Sequence, residues 1–444
     1  MVFRIRDGFI IKALDRPDLD PNRKCKTLTT YNTDQLSQAV SYFLDVINKI
    51  DSSKKPIAIN YAHLSFLTIA FALAIIKSKK DTVMLIDDDI VIAGDDLKLF
   101  SHFFLAGPRV GRRKHSSIAL INQSIEHRSY IDSPEVMDAV ESWDGREELT
   151  FEFGKDVKTY ILHINSLNTE TLTTSGLMEE SSIVAAMNNY VYDDDHCVLF
   201  RSFNHVGVAT LIIYPALFKA KSVSVIDHKN QWNIECEDAT HVHMNYEMIQ
   251  QNFKLPKKLR TLSTGGYHFS SDCLDYVYAQ SDIDRIVDCY GTATCPPPMA
   301  IRELTKENSI GLQPFKWINK VFFPKISESG EMSISSKDEY SFAGIVGSKE
   351  GKELVIPDAI EQINNDTFYL YGRKENYIRV LDTRLTSKEL SQMIDSIISN
   401  VKIEYTIKDG TNFPKLISNI SNKEKLDNFV INNRVEADIE YTND

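Results

Sequence analysis

The side chains in this chain that could do chemistry are scattered, and each has a plainer explanation beside its chemical one. Asp87-Asp88-Asp89 could hold a divalent cation, but three acids where a strand runs out into water also form a solvated turn. His241 and His243, at i and i+2 on one face of an extended segment, could ligate a metal; no third ligand is evident, and pocket lining or core packing also explains them. The stretch from Asn165 to Ser175 crowds hydroxyls and amides together, which suits hydrogen bonding to phosphate. Glu170 lies within it, and a carboxylate there repels phosphate unless magnesium stands between. No G-x-x-x-x-G-K-[ST] occurs, which argues against a P-loop nucleotidase.

The chain has 444 residues, enough for two or three domains, with 43% hydrophobic and 25% charged residues. A formal charge of −12 argues against non-specific nucleic-acid binding, which needs phosphate neutralisation. The six cysteines form no C-x-x-C and suggest neither zinc fingers nor disulfides, as expected in a reducing cytoplasm. The first twenty residues lack a signal-peptide core, and the apolar run from Leu64 to Ile76 is too short to span a bilayer. The expectation is a cytoplasmic protein with no membrane span.

The elements that must position these groups follow from periodicity. Leu36, Val40, Phe43, Leu44 and Ile47 predict an amphipathic helix over 31–49, opened by Asn32 or Thr33. A strand at Pro56–Tyr61, a helix at Leu64–Lys77 and a strand at Val83–Ile86 predict a βαβ unit. A hairpin is expected at Leu149–Phe153, a helix over 177–190, a strand at Cys197–Phe200 and a long apolar helix from Val208 to Phe218. In the C-terminal part, Asn364-Asn365-Asp366 marks a turn between two strands. A helix follows with Leu390, Met393, Ile394, Ile397 and Ile398 on its apolar face, and the acidic tail after Val435 is expected to fray.

Three clusters then occur in one order. They are Leu259-Arg260 leading to Gly265-Gly266-Tyr267, then Tyr290-Gly291-Thr292, then Asp358 followed at a hairpin's distance by Gly372-Arg373 with Ile378 beyond. Together they resemble the adenylate-forming enzymes, which include acyl-CoA synthetases, carrier-protein-loading domains and luciferases. The resemblance covers roughly residues 30–425 and is weakest in the phosphate loop, where 160–176 lacks the early glycines. It implies that Gly265, Gly266, Tyr267, Tyr290, Gly291 and Thr292 bind the nucleotide base and that Asp358 and Arg373 bind its ribose. It implies that Glu170 and Thr294 stand near the magnesium, although Thr294 replaces a glutamate. His205, in Phe-Asn-His-Val-Gly, falls at the acyl pocket but also reads as a helix-start or core histidine. Lys423 is the candidate for the lysine that stabilises charge at the carboxylate–phosphate junction.

The fold implied is α/β. A large domain, 1–374, has βαβ-built mixed sheets and a barrel-like part near 303–354, and a small α+β domain, 375–444, swings on Glu375. The activity implied is ATP- and magnesium-dependent activation of a carboxylic acid as an acyl-adenylate, then transfer to coenzyme A, a phosphopantetheine on an acyl or peptidyl carrier protein, or an amine. The competing expectation is a binding protein that keeps the fold with adenylation weakened.

Overall fold

The computed structural model describes residues 1–13, 28–50, 55–61, 64–85, 101–105, 128–164, 169–200, 206–226, 237–244, 248, 253–265, 271–281, 283–292, 295–305, 313–327, 331–336, 353–373, 378–380, 383–385, 394–395, 397–408, 411–432, 435 and 437–442. They divide into two compact units. The first is Met1–Ser309 with Ile318–Val321 and Ser341–Gly351; the second is Ile310–Trp317, Phe322–Tyr340 and Lys352–Asp444. The strands from 353 to 373 thus group with the C-terminal residues. The expected boundary after 374 and the hinge at Glu375 lie outside the described residues.

The first unit is α/β. Helix Thr33–Asn48 starts where expected, because the Asn32 side chain accepts from the Gln35 N–H while Gln35 reaches back to the Asn32 N–H. It packs on helix Phe66–Ser78, whose FLTIAFALAII sequence is apolar on every side and buried throughout most of its length. Strand Ile57–Asn60, that helix and strand Thr82–Leu85 make the expected βαβ unit, with the two strands parallel. They belong to a six-stranded sheet in the order Thr169–Ser175, Lys158–Ile164, Thr82–Leu85, Ile57–Asn60, His102–Leu105, Arg128–Tyr130. Leu149–Phe153 is not a hairpin: Thr150–Phe151 pairs instead with Phe3–Arg4, which seats the Phe3 and Phe151 rings in the core.

The second sheet of this unit carries the strands that end at Gly265 and Tyr290. Its order is Thr29–Tyr31, Ile10–Ala13, Ser222–Val225, His196–Leu199, His241–His243, Thr261–Gly265, Arg285–Tyr290, Ala300–Leu304. All neighbours from Ile10–Ala13 to Arg285–Tyr290 are parallel, and the two flanking strands are antiparallel. Cys197, Val198, Val223, Val242, Leu262 and Ile286 are fully buried, as parallel strands covered on both faces require.

The expected helix 208–218 is interrupted. Val206–Val208 is α-helical, Ala209–Ile213 is a π-turn and Tyr214–Lys219 is α-helical again. Pro215 has no N–H to give the carbonyl four residues back, that of Leu211, and this oxygen instead accepts from Tyr190 Oη at 2.9 Å.

In the second unit, Phe322–Ile326, Glu331–Ser336, Glu353–Asn364, Thr367–Arg373 and Phe315–Trp317 pair in that order, all antiparallel. Among the described residues they form an open antiparallel sheet and no closed barrel, so the expected barrel-like part is corrected to an open sheet. Beyond it lies a small α+β body of strands Lys402–Lys408, Thr411–Asn419 and Asp438–Thr442 with helix Lys423–Asn432. Ile394, Ile398, Leu416, Leu426, Phe429 and Val435 fill its core, whereas Ile397 points outward at 56% exposed. The tail does not fray: Asp438–Thr442 pairs in parallel with Lys415–Asn419, because Ile439 and Tyr441 alternate onto that core.

Candidate active site

Ligands of open parallel sheets gather beyond the carboxyl ends of the strands. Gly265 and Tyr290 are the last residues of two neighbouring strands at that end, with Gly265 level with Cys289. A Cβ at 265 would lie 2.9 Å from the Cys289 carbonyl oxygen and 3.3 Å from Leu211 Cδ1, so this glycine lets the strand pack beneath the π-turn. A Cβ at Gly291 would lie 2.6 Å from both N and Cα of Pro297. Thr292 closes the intervening turn: its N–H donates to the Cys295 carbonyl at 2.8 Å, and its Oγ1 accepts from the Cys295 N–H at 3.0 Å. The proline run is then fastened to two helices. Ser182 Oγ donates to the Pro296 carbonyl and Thr210 Oγ1 to the Pro297 carbonyl, at 2.5 and 2.6 Å. Tyr290 ends this shelf at 7% exposed, so stacking on a base requires its ring to turn outward or the base to enter from the strand end.

In the second unit, Asp358 and Arg373 are direct register partners across Glu353–Asn364 and Thr367–Arg373, next to a bulge at Ala359/Ile360. Sequence reasoning paired these two, and the strand register brings their backbones together. Asp358 is 3% exposed and already has a polar or charged partner, so a ribose diol would have to replace that contact. Lys423 opens helix Lys423–Asn432 with its Nζ 5.6 Å from the Tyr441 ring centroid. Glu170 lies in strand Thr169–Ser175 opposite His163. His205, Gly266, Tyr267 and Thr294 lie outside the described residues, as do the side chains of Glu170 and Arg373.

The expected phosphate loop is corrected in one respect. Residues 169–175 form a regular strand antiparallel to Lys158–Ile164, as a threonine-rich, glycine-free sequence favours. Thr174 is buried with its hydroxyl unpaired, and Ser175 caps the next helix by accepting from the Met178 N–H. Neither hydroxyl is therefore presented to a phosphate. Residues 165–168 lie outside the described residues.

No protein-family profile matches the chain, and no curated protein matches it. Solved structures do. Escherichia coli MenE with bound OSB-AMS superposes with a TM-score of 0.58 at 11% identity, over 99% of this chain and 93% of that one. A fatty acyl-CoA synthetase of Mycobacterium tuberculosis gives 0.61 at 14% identity, over 94% and 90%. The o-succinylbenzoate coenzyme A synthetase of Bacillus subtilis, in complex with ATP and magnesium ion, gives 0.59 at 12% identity, over 92% and 89%. All three are adenylate-forming enzymes. The chain has the adenylate-forming fold. Within that fold Gly265 and Tyr290 end neighbouring strands of the parallel sheet, and Asp358 and Arg373 are register partners in the second unit.

The structure also shows polar groups that sequence reasoning missed. Glu179 lies in the first helical turn after Ser175, where an acid ordinarily faces water. Here it lines a cavity of about 60 Å³ with Tyr61, Thr159, Gly176 and Tyr214. That has room for a few waters but is far below the size of an acyl pocket. Glu179 is 8% exposed and its Oε1 has no hydrogen bond. Burial pushes its carboxyl up to about 7, against a hydrogen bond from Thr159. Burial, reinforced by the Glu179 charge, likewise pushes the Tyr61 hydroxyl up.

At the amino ends of the parallel strands, Asp195 accepts from the Tyr192 N–H at 2.8 Å, Thr240 Oγ1 at 2.8 Å and Arg260 Nη2 at 2.5 Å. Burial favours its neutral form, but His241, the Tyr192 N–H and Arg260 together outweigh burial and hold the carboxyl well below the usual range. The run Asp193-Asp194-Asp195 was the available signal, since two of its acids meet Arg260.

Proposed function

We propose that the chain activates a carboxylic acid with ATP. The acid's carboxylate oxygen attacks the α-phosphorus, the bond to the bridging oxygen breaks, and pyrophosphate leaves. A thiol or amine then attacks the acyl carbon and AMP departs. The observation that carries this is the adenylate-forming fold over nearly the whole chain, and the register pairing of Asp358 with Arg373 supports it.

In this reading Gly265, Gly266 and Tyr290 receive the adenine, Tyr267, Gly291 and Thr292 shape the turn around it, and Asp358 and Arg373 hold the ribose. Asp358 accepts hydrogen bonds from the ribose hydroxyls, and Arg373 offsets its charge. Lys423 meets the negative charge that builds as the carboxylate attacks, and His205 lines the acyl pocket. Glu170 and Thr294 would hold magnesium, which when bound supplies neutralisation of phosphate charge. The carbon skeleton of the acid is open to aliphatic, aryl and amino acids. Coenzyme A, a carrier-protein phosphopantetheine and an amine fit the second step equally. A small domain at 375–444 turning on Glu375 would separate the two half-reactions.

A second reading is favoured by one feature. Strand Thr169–Ser175 buries Thr174 and offers no glycine amides, so pyrophosphate is gripped less from this side than a glycine loop would grip it. On that reading the chain binds nucleotide or acyl group without efficient turnover. Exchange of labelled pyrophosphate into ATP, measured over a panel of carboxylic acids, separates the two. Exchange with one acid class supports the enzyme. ATP binding by calorimetry with no exchange for any acid supports the second reading, and absence of both overturns each.

A further inference from the structure

Strand pairing gathers three metal-ligating groups at the amino ends of the parallel strands. Cys197 and His241 are register partners on neighbouring strands, and Asp195 stands just before the first of them. A carboxylate oxygen, a thiol sulfur and an imidazole nitrogen lie within 4.8 Å of one another, on three buried residues. This is a donor set that suits zinc-like ions. The sequence shows only His241 and His243; the third and fourth candidates arrive from a strand distant in the chain.

His241 is the group that asks for a ligand. Its Nε2 lies 3.0 Å from Ser263 Oγ, and the same hydroxyl lies 3.2 Å from His243 Nδ1. Ser263 has one proton to give. When that proton goes to His243, Ser263 accepts from His241 Nε2–H, and His241 Nδ1 is left as a bare lone pair. This nitrogen makes no hydrogen bond and lies 3.6 Å from Asp195 Oδ2. A lone pair facing a carboxylate in a dry interior calls for a cation between them, which is either a metal ion or, in the tautomer where Ser263 donates to His241 Nε2, the Nδ1 proton itself. The separation is too long for a hydrogen bond. It is close to the edge of about 3.4 Å that a tetrahedral ion with bonds of 2.0–2.1 Å would impose. A proton could bridge His241 and Asp195 alone. The sulfur of Cys197 at the third corner adds nothing to a proton, but it is a preferred ligand of a thiophilic metal. Arg260 and Thr240 hold the other carboxylate oxygen and fix the orientation of Asp195.

We propose that Asp195 Oδ2, Cys197 Sγ and His241 Nδ1 bind a divalent, thiophilic metal ion of the zinc class. Binding releases the Cys197 thiol proton to solvent. The site clamps two adjacent strands at the end opposite Gly265, which lies four residues, or about 13 Å, further along the sheet. It is independent of the proposed acid activation.

The whole chain, stripped with a chelator and titrated with cobalt(II), tests this. The expected result is one cobalt per chain, with a thiolate-to-cobalt charge-transfer band and the intense visible bands of a tetrahedral ion, both displaced by zinc. Cys197→Ser should abolish the charge-transfer band, and His241→Gln should weaken cobalt binding about tenfold or more. Far-ultraviolet circular dichroism checks that each variant is folded; if the serine variant is not, the glutamine variant is read in its place. No thiolate band in the wild-type chain overturns the site. A band that persists in folded Cys197→Ser places the metal on another cysteine and also overturns it.

Discussion

The two ends of the parallel sheet in the first unit are built from different materials. At the amino ends, fixed charges interlock: Asp195 takes Arg260, Thr240 and the Tyr192 N–H, and Arg260 also takes Asp194. At the carboxyl ends the described residues are small or aromatic, and the bonds that hold them run mostly to backbone carbonyls of a proline turn. Charges at the first end are committed to one another and contribute rigidity. The second end keeps close-packed backbone at Gly265 and Gly291. The charged network thus lies at the end opposite the one where ligands of open parallel sheets gather and where the nucleotide is proposed to bind.

The contrast can be broken most forcefully at Asp195. Its side chain is fully buried, so Asp195→Ala leaves the Tyr192 N–H and Thr240 Oγ1 without their acceptor and Arg260 with Asp194 alone. Unfolding in urea should show a loss of about 3–5 kcal/mol, and a loss below about 1 kcal/mol would make the network peripheral. Glu179 should act through pH. Its carboxyl sits at about 7 in the folded chain, above its value when unfolded. The folded state therefore binds the extra proton, and stability present at acidic pH is lost as pH rises through 7. The loss is on the order of 3 kcal/mol. Glu179→Gln should flatten that decline relative to wild type, and parallel curves would count against it. Asp195, held low, works in the opposite sense: its stabilisation is present at neutral pH and is lost on acidification.

Smaller effects sharpen the picture of the carboxyl-end shelf. Gly291→Ala drives a methyl into the Pro297 backbone and should cost about 1–3 kcal/mol in thermal or urea unfolding. Thr210→Val removes the donor to the Pro297 carbonyl and should cost about 1 kcal/mol, read from the same curves. If both variants were neutral, the proline turn would not be what holds Tyr290-Gly291 in place.

Periodicity and capping made much of this fold legible. Asn32, the apolar run after Leu64 and the strand ending at Gly265 lie where their local chemistry puts them. The resemblance in Gly265-Gly266, Tyr290-Gly291 and Asp358 with Gly372-Arg373 pointed to the fold that superposition shows. What stayed hidden depends on tertiary partners. Nothing local says that Thr150–Phe151 pairs with residues near the start of the chain, or that Ile439 and Tyr441 draw an acidic tail into a sheet. Glu179 looks like an ordinary first-turn acid, and only the packing of Tyr61 and Tyr214 around it reveals a buried carboxyl. Pro215 stands inside the helix expected over 208–218, and the Leu211 carbonyl in the π-turn before it is satisfied by Tyr190 from elsewhere in the chain.

The most direct test of the central claim is nucleotide affinity at Asp358. Calorimetry with ATP and with AMP on the wild-type chain should show binding, and Asp358→Ala should weaken it by roughly 1.5–3 kcal/mol, the range for a hydrogen bond to a charged group. Its urea midpoint, read alongside, establishes that the variant is folded. Nucleotide affinity unchanged in folded Asp358→Ala, or no nucleotide binding by the wild-type chain, would contradict the assignment of this fold's activity to the protein.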